Sequence, residues 1–314
     1  MEISVVVPVY NEEENIKEFT LQILPVMDSL KKSYEVLFID DGSHDRSSLI
    51  LKELIQTYPN IKLIRLNKNY GQHSAIFCGF EAALGEMIIT IDADLQNPPS
   101  EIPKLVRKME EGYEVVGGYR EQRQDSILRK IPSFIVAKIT SKLVNVPLKD
   151  YGCMLRAYRK ELVKTMLTSG ESATYIPALA NSYASKIAEI PVAHQARTKG
   201  QSKYSLLRLL HLNFDLMTSF SLLPIQLIGI SGLVISVFGL GFSFFLLLMR
   251  LIKGSEWAVQ GVFTLFGILF FFVGLQVLAI GLMGEYIGRI YQEVRHRPRF
   301  RVQEIITSKS KNPN

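Results

Sequence analysis

Short runs of apolar, β-branched residues alternate with helical patterns over the first 120 residues. The runs "ISVVVPVY", "YEVLFID", "IKLIRLN" and "EMIITID" have the length and composition of buried strands, and amphipathic segments such as "DRSSLILKELIQTY" separate them. This alternation predicts an α/β fold, a mostly parallel sheet with helices on both faces. Ligands bind such sheets at the carboxyl ends of the strands. Those ends carry "NEEE", "DDGS", "NKNYGQ" and "DADLQ", so we expect the functional site there.

The pattern changes in the last third of the chain. Residues 216–249 and 257–284 form stretches of 34 and 28 residues without Asp, Glu, Lys, Arg or His. A helix that spans a membrane needs roughly 20 apolar residues, and buried helices of soluble proteins rarely stay uncharged for so long. The sequence therefore predicts two transmembrane helices, and the short connector "RLIKGSE" predicts that they form a hairpin.

Basic residues flank these two stretches unevenly. Five arginines follow the second stretch and three basic residues precede the first, whereas the connector has two. The positive-inside rule then places both termini in the cytosol and the chain in the cytoplasmic (inner) membrane as a multi-pass protein. We expect a cytosolic domain over 1–200, an interfacial helix over 201–218, a helical hairpin over 219–285, and a basic juxtamembrane segment with a disordered tail over 286–314.

The overall charge adds a constraint on partners. The net charge is +6 and the pI about 9.1, which suits phosphates, acidic lipids or nucleic acid. The basic residues cluster near the apolar stretches rather than among aromatic residues on an open face, which favours a lipid surface and argues against nucleic acid. The segment 126–145 is amphipathic and basic, and it either packs on the core or lies at the membrane surface. Two cysteines cannot form a disulfide framework and indicate a reducing compartment.

Several common sites are excluded by missing motifs. The first strand is followed by no G-x-G-x-x-G, and the chain has no G-K-[ST], no C-x-x-C and no H-E-x-x-H. The five histidines are scattered, and each is better interpreted as a structural or surface residue than as a ligand. Dinucleotide, P-loop and zinc sites are therefore not expected.

Two carboxylates close the fourth predicted strand. Asp92 and Asp94 follow it directly, a turn after Ile91 can aim both at one point, and Gln96 comes two residues later. Neighbouring carboxylates raise one another's pKa unless a positive charge neutralises them, and Mg²⁺ or Mn²⁺ does so with oxygen ligands. The alternative is a solvated turn, but the acidic ends of the other strands favour a metal site.

Asp40 and Asp41 close the second predicted strand in "DDGS". A buried carboxylate at this place can accept an N–H from a nucleobase, or it can cap the next helix. Asn11 and Glu12 after the first strand can bind a ribose or cap a helix in the same way.

These motifs, in this order and spacing, resemble the family 2 glycosyltransferases, which have the GT-A fold. The resemblance rests on "VVVPVYNEEENI", "VLFIDDGSHDRS", "LNKNYGQHSAIFCGF" and "IDADLQNPPSEIPKLV". Later segments, "REQRQDSILRK", "DYGCMLRAYRKELV", "TYIPALAN" and "GQSKYSLLRLL", narrow it to polyprenyl-phosphate glycosyltransferases and, among these, to the bacterial branch that transfers 4-deoxy-4-formamido-L-arabinose to undecaprenyl phosphate. The resemblance covers about residues 1–300.

The resemblance implies an activity and partners. We expect metal-dependent transfer of a sugar from a UDP-sugar to a membrane polyprenyl phosphate, with inversion, for cell-envelope glycan or lipid A modification, as in lipopolysaccharide biosynthesis. The resemblance also implies Mg²⁺ or Mn²⁺ as the metal and suggests a homo-oligomer such as a tetramer. Related glucosyl and mannosyl transferases often have Gly-Asp-Phe-Arg where this chain has Gly152-Cys153-Met154-Leu155, which favours the arabinose branch.

The resemblance also implies residue roles. The nucleotide sugar is bound by Pro8, Tyr10, Glu12, Asp40, Asp41, Asp92 and Arg120, the last of which is also a candidate for the lipid phosphate. The metal is bound by Asp92, Asp94 and Gln96. The lipid phosphate is bound by Arg129, Ser133, Arg197 and Lys203, and the catalytic residues are Asp94, Arg129 and Arg197.

Three other functions remain as alternatives. A transferase of glucose or another hexose to the same lipid differs only in the sugar. A processive polysaccharide synthase usually needs a Q-x-x-R-W motif and more spans, and the single tryptophan of this chain, Trp257, lies in the apolar region. A non-catalytic membrane adaptor that binds a nucleotide sugar would not need the intact set Asp92, Asp94 and Gln96.

Overall fold

The computed structural model describes residues 1–120, 150, 153–169, 175–194, 223–253, 262–294 and 298–308. They belong to two compact units. The first comprises Met1–Ser205 together with His296–Asn314, and the second comprises Leu206–Arg295. The C-terminal segment is therefore part of the first unit, although the second unit precedes it in the chain.

The first unit is built on an eight-stranded sheet. Its strands are β1 (Ile3–Val9), β2 (Tyr34–Asp40), β3 (Ile61–Leu66), β4 (Met87–Thr90), β5 (Val115–Arg120), β6 (Arg156–Arg159), β7 (Ile187–Val192) and β8 (Val302–Thr307). Its helices are α1 (Ile16–Ser29), α2 (Ser47–Thr57), α3 (Gln72–Ala82), α4 (Ile102–Glu110), α5 (Lys160–Thr168) and α6 (Ile176–Tyr183), and a 3₁₀ turn, Pro99–Glu101, leads into α4.

The sheet is mixed, with the order β7-β5-β6-β4-β1-β2-β3-β8. Strands β1 to β4 are mutually parallel where they pair, and β5 pairs in parallel with β7. Strand β6 runs antiparallel between β4 and β5, and β8 runs antiparallel to β3. The predicted α/β fold is confirmed. The parallel strands β1 to β4 are the ones that the alternation of strands and helices in the sequence predicts. The two reversed strands were not predicted.

Helices cover both faces of the central strands. Val5, Val6 and Val7 of β1 are all fully buried, as expected for a strand covered on both sides. On one face Phe19 of α1 packs edge-on against Phe38 of β2, with ring centroids 6.1 Å apart. On the other face α3 lies against β1. The strong burial of the central strands fixes the position of the loops that follow them.

The second unit contains two long helices. They are α7 (Leu223–Lys253, 31 residues) and α8 (Val262–Val294, 33 residues). In the described part of the chain one stretch, Phe271–Gly288 of α8, is long and apolar enough to cross a membrane, and 6% of it is buried. In α7 the apolar stretch Ile225–Ile235 is shorter. One apolar helix that can span a membrane is thus found, and the second span of the hairpin remains a prediction.

Strand β8 lies inside the segment predicted to be juxtamembrane and disordered. Leu63 of β3 pairs with Ile306, and Ile306 packs against the core. Glu304 and Ile306 are the less exposed positions and alternate with exposed residues, which is the period of a strand with one covered face. Helix α8 also continues beyond the predicted end of the hairpin. The interfacial helix over 201–218 and the amphipathic segment 126–145 lie outside the described residues.

The contact between α3 and β1 generates a prediction about stability. A Cβ added at Gly79 would collide with the Cγ1 of Val6. We expect Gly79→Ala to lower the free energy of unfolding by about 1–3 kcal/mol, because overpacking a core forces its neighbours to shift. The double variant Val6→Ala/Gly79→Ala removes the collision, so its melting temperature in detergent should exceed that of Gly79→Ala. Equal melting temperatures for Gly79→Ala and the wild type would show that α3 does not lie this close to β1.

Candidate active site

Four loops meet at the carboxyl edge of the central strands. They follow β1, β2, β3 and β4, which lie side by side and run in the same direction. The polar side chains predicted at these strand ends therefore belong to one edge of the sheet, as the sequence predicts.

The loops after β1 and β2 are joined by hydrogen bonds. The backbone N–H of Asn11 donates to the Oγ of Ser43 (3.0 Å), and the side-chain oxygen of Asn11 accepts the N–H of His44 (2.9 Å). Asn11 adopts a left-handed backbone with φ 54°, which asparagine tolerates better than most residues. The carboxylate of Glu12 accepts from the side chain of Asn15 (2.7 Å). Asn11 therefore organises the two loops.

Pro8 and Tyr10 lie at the start of this edge. Pro8 is in β1 and pairs with Ile39 of β2. The ring of Tyr10, just beyond the strand, lies edge-on to His44 with centroids 6.5 Å apart. Both predicted nucleotide-binding positions are therefore adjacent to the turn that follows β2.

Asp40 closes its own turn and does not cap the next helix. Its side chain is fully buried, and its Oδ1 accepts the backbone N–H of Ser43 at 2.8 Å. Its Oδ2 lies 3.5 Å from the Nε of Arg65. Gly42 in this turn has φ +70°, and a Cβ there would lie 2.5 Å from the carbonyl carbon of Lys68, so the turn closely approaches the loop after β3.

Asp41 holds that next loop. Its two carboxylate oxygens accept the backbone N–H groups of Tyr70 (2.7 Å) and Gly71 (2.8 Å). Burial raises the pKa of Asp41 above its ordinary value, and the nearby charge of Asp40 acts in the same direction, while the two N–H donors oppose the rise. Asp41 thus fixes the position of the loop after β3.

Gln72 connects this loop to the carboxylates after β4. It is the first residue of α3, directly after Gly71, and its Nε2 donates to the Oδ1 of Asp92 at 2.6 Å. Asp41, the loop 70–71, Gln72 and Asp92 therefore form one continuous chain of contacts. The sequence identified the stretch "NKNYGQ" only as a polar strand end. The glutamine that closes it, Gln72, was the available indication of a contact with the carboxylates after β4.

The segment after β4 alternates half-buried polar residues with buried residues. The strand ends at Thr90, and a turn begins at Ala93. Asp92, Asp94 and Gln96 are half-buried, whereas the residues between them are buried. The Oδ1 of Asp94 accepts the backbone N–H of Gln96 at 3.1 Å. The two carboxylates and the amide are thus partly exposed after β4, and their binding of one metal ion remains a prediction.

This donor set fits a hard divalent cation. The described residues contain no cluster of three or more His, Cys, Asp and Glu side chains, so a transition-metal site of that kind is not found among them. Two carboxylates and one amide leave most positions around an ion to water and a ligand's phosphates, which is the usual arrangement for Mg²⁺. We therefore keep Asp92, Asp94 and Gln96 as the residues that can hold such an ion.

Arg120 forms a bidentate ion pair. At the end of β5 its Nε and Nη2 donate to the two carboxylate oxygens of Asp150, at 2.6 and 2.8 Å. Asp150 is almost fully buried and was not predicted. Arg156, also buried, donates to the carbonyl oxygens of Cys153 (3.1 Å) and Asp150 (3.1 Å). These arginine contacts fix the segment around Cys153, in which the resemblance described above implies an acidic residue for many glucosyl and mannosyl transferases.

Cys153 occupies the position of that acidic residue. Its side chain is buried, and burial raises the pKa of its thiol to about 11. A thiol is nucleophilic only as the thiolate. Cys153 therefore stays protonated at neutral pH and packs as a small apolar side chain.

The predicted acceptor residues Arg129, Ser133, Arg197 and Lys203 lie outside the described residues. The described site thus comprises the strand-end loops and the Arg120–Asp150 pair, and the roles of these four residues remain predictions.

The chain is similar to known proteins in sequence and in fold. Residues 4–167 match the sequence model of a protein family described as glycosyl transferase family 2. The chain is 51% identical over 310 residues, 98% of this chain and 93% of the relative, to the undecaprenyl-phosphate 4-deoxy-4-formamido-L-arabinose transferase of Shewanella sediminis. It is 49% identical, over 98% of this chain and 94% of the relative, to the protein of the same name from Aeromonas hydrophila.

The fold is also found among solved structures. The crystal structure of a mycobacterial protein superimposes with a TM-score of 0.51 and 17% identity, over 69% of this chain and 73% of that chain. This similarity concerns the fold alone.

His73, the residue after Gln72, generates a prediction about pH. Its ring lies edge-on to Tyr175 with centroids 5.4 Å apart, and its Nδ1 is buried without a hydrogen-bond partner among the described residues. Burial lowers the pKa of His73 from 6.5 to about 4. The unfolded chain therefore binds a proton more readily, and stability should fall as the pH drops from 6.5 to about 4.

We expect His73→Gln to flatten the dependence of the melting temperature on pH in this window. The exposed His44 is the matched control, and His44→Gln should leave the slope of the wild type in place. If His73→Gln kept the wild-type slope, the buried imidazole would not be the group that senses acid.

Proposed function

Because the chain belongs to glycosyl transferase family 2, we propose that it transfers 4-deoxy-4-formamido-L-arabinose from its UDP derivative to undecaprenyl phosphate. The chain is a glycosyltransferase with a GT-A fold. The observation that carries the proposal is the chain of hydrogen bonds that connects Asp41 to Asp92 at the carboxyl edge of the sheet. The chain is also about half identical, over nearly its whole length, to relatives that bear the name of this transferase. The buried Cys153 supports the arabinose branch, because glucosyl and mannosyl relatives often have an acid at this position.

The loops after β1 and β2 would form the nucleotide end of the site. The residues proposed to surround the nucleotide are Pro8, Tyr10, Glu12, Asp40 and Asp41. Asp40 would support the turn 40–43 from inside the protein, because its side chain is fully buried and accepts the N–H of Ser43. At the other end of the sheet Arg120 would be oriented by its two bonds to Asp150 before it meets the sugar or phosphate.

The side chains of Asp92, Asp94 and Gln96 would hold Mg²⁺ or Mn²⁺ beside the donor's pyrophosphate. A bound divalent cation neutralises the pyrophosphate and stabilises it as a leaving group. Gln72 would keep Asp92 in place through its 2.6 Å hydrogen bond, and the N–H of Gln96 would do the same for Asp94. The protein thus supplies a preformed pair of carboxylates.

The acceptor phosphate needs little activation by a base. A phosphate monoester has a second pKa near 6, so it is mostly dianionic at neutral pH. Its oxygen would attack the anomeric carbon, form the new C–O bond and displace UDP, which leaves with the bonding electrons, so the configuration inverts. Arg129 and Arg197, with Ser133 and Lys203, would orient the acceptor and screen its charge from the donor. The protonated Cys153 is not a nucleophile for a covalent intermediate.

The apolar helices account for the lipid acceptor. Removing a polyprenyl chain from a bilayer costs about 0.8 kcal/mol per CH₂ group, so the site must come to the membrane. The apolar stretch Phe271–Gly288 can anchor the chain there. We propose that α7 forms the second span, with both termini in the cytosol, and that the protein forms a homo-oligomer.

The direct test uses purified enzyme with undecaprenyl phosphate, Mn²⁺ or Mg²⁺ and a panel of UDP-sugars, and weighs the lipid product by mass spectrometry. The expected product carries formamido-arabinose. We expect Asp94→Asn to lower the rate by on the order of 100-fold, since the variant loses a charged metal ligand. Glu14→Gln, at an exposed position of the loop after β1, is the matched control and should retain activity. Full activity of Asp94→Asn, or of the wild type in EDTA, would contradict the proposal.

A second test separates donor from acceptor. Arg129→Ala should raise the KM for undecaprenyl phosphate and leave the dissociation constant of UDP close to that of the wild type, because the lost charge is the one proposed to bind the acceptor phosphate. Calorimetric titration with UDP and steady-state kinetics give the two numbers. An equal loss of UDP binding and of acceptor use would indicate general misfolding and count against this role.

A further inference from the structure

The chain returns to the catalytic sheet after its apolar helices, and it does so beside the nucleotide loops. The guanidinium of Arg299 lies 4.0 Å above the ring centroid of Phe77 in α3. The carbonyl oxygen of Arg301 accepts the backbone N–H of Asn67, at the start of the loop after β3, at 3.1 Å. The residues Val302–Thr307 then form β8 along β3. The returning segment therefore contacts two elements that carry site residues.

Glu304 is the charged residue of β8, and its side chain is partly buried. Its Oε1 forms an ion pair with the Nζ of Lys52 in α2 at 2.8 Å and lies 3.8 Å from the Nη1 of Arg65 in β3. The Nε of the same Arg65 lies 3.5 Å from the Oδ2 of Asp40. The three side chains Glu304, Arg65 and Asp40 thus form a row that runs from the C-terminal strand to the turn after β2.

Asp40 depends on this row for its counter-charge. Its side chain has no exposed surface, and neither its Oδ2 nor the Nε of Arg65 has a hydrogen-bond partner among the described residues. The attraction between them is therefore one of charge alone, without a directed bond to fix the guanidinium. A buried carboxylate without a nearby cation is strongly destabilised. The position of the Arg65 guanidinium consequently depends on its second acidic neighbour, Glu304.

We propose that Glu304 is a positioning residue of the nucleotide site. It holds Arg65 against Asp40, and Asp40 in turn holds the turn 40–43, from which Asp41 fixes the loop after β3. The strand that follows the apolar helices thereby sets the affinity for the UDP part of the donor. The inference rests on the proposed function, and it assigns to the C-terminal strand a part in donor binding.

The first test measures UDP binding by calorimetry in the presence of Mn²⁺ on the full-length protein. Glu304→Gln is expected to weaken UDP binding about three- to fivefold, the range of one partly exposed ion pair. The KM for the UDP-sugar should rise by the same factor, with kcat and the KM for undecaprenyl phosphate unchanged. Gln303→Ala, on the exposed side of the same strand, is the matched control and should bind UDP as the wild type does.

A variant in which Lys52 and Glu304 exchange charges tests whether Glu304 positions Arg65 or only attaches β8 to α2. The double variant Lys52→Glu/Glu304→Lys restores the pair between α2 and β8 but places a cation beside Arg65. We expect its melting temperature to return to that of the wild type while UDP binding stays weakened. Arg65→Lys keeps the positive charge and should bind UDP more tightly than Arg65→Gln.

The outcomes are distinct. If UDP binds the wild type but the exchange variant recovers full affinity, or Glu304→Gln loses none, the positioning role is wrong and the proposed function stands. If the wild type binds no UDP in Mn²⁺, both the inference and the UDP donor are wrong.

Discussion

The repulsion among carboxylates at one edge of the sheet is the constraint that shapes this protein. Two pairs of aspartates lie at the ends of β2 and β4, the strands on either side of β1, and each of the four is held by a different device. The devices are the N–H of Ser43 and the charge of Arg65 for Asp40, the N–H groups of Tyr70 and Gly71 for Asp41, the amide of Gln72 for Asp92, and the N–H of Gln96 for Asp94. These contacts hold the loops in place, and the acidic edge that they form is the proposed site for a divalent cation bound with a pyrophosphate.

The rest of the fold keeps this edge rigid. The central strands are buried on both faces, so the starting points of the loops cannot shift without disturbing the core. The edge strand β8 adds a support from a distant part of the chain, because it pairs with β3 and brings Glu304 to Arg65. The segment after the apolar helices thus completes the sheet of the first unit.

The sequence predicted what depends on local pattern. Alternation identified β1 to β4 and their helices, and the polar strand ends that it marked lie at one edge of the sheet. What depends on distant partners was missed. Strand β8 looks like a basic tail until β3 is placed beside it, and Asp150 has no recognisable role until Arg120 is paired with it. Gln72 and Arg65 act through contacts with residues about 20 positions or more away, which no periodicity reveals.

The central claim is that these carboxylates form one site for a nucleoside diphosphate and a divalent cation. Its most direct measurement is a calorimetric titration of the wild-type protein with UDP, in Mn²⁺ and again in EDTA. The account predicts that Mn²⁺ strengthens UDP binding by about tenfold or more, which corresponds to about 1.4 kcal/mol. The same affinity with and without the cation would show that the aspartates after β4 do not act together with the nucleotide loops.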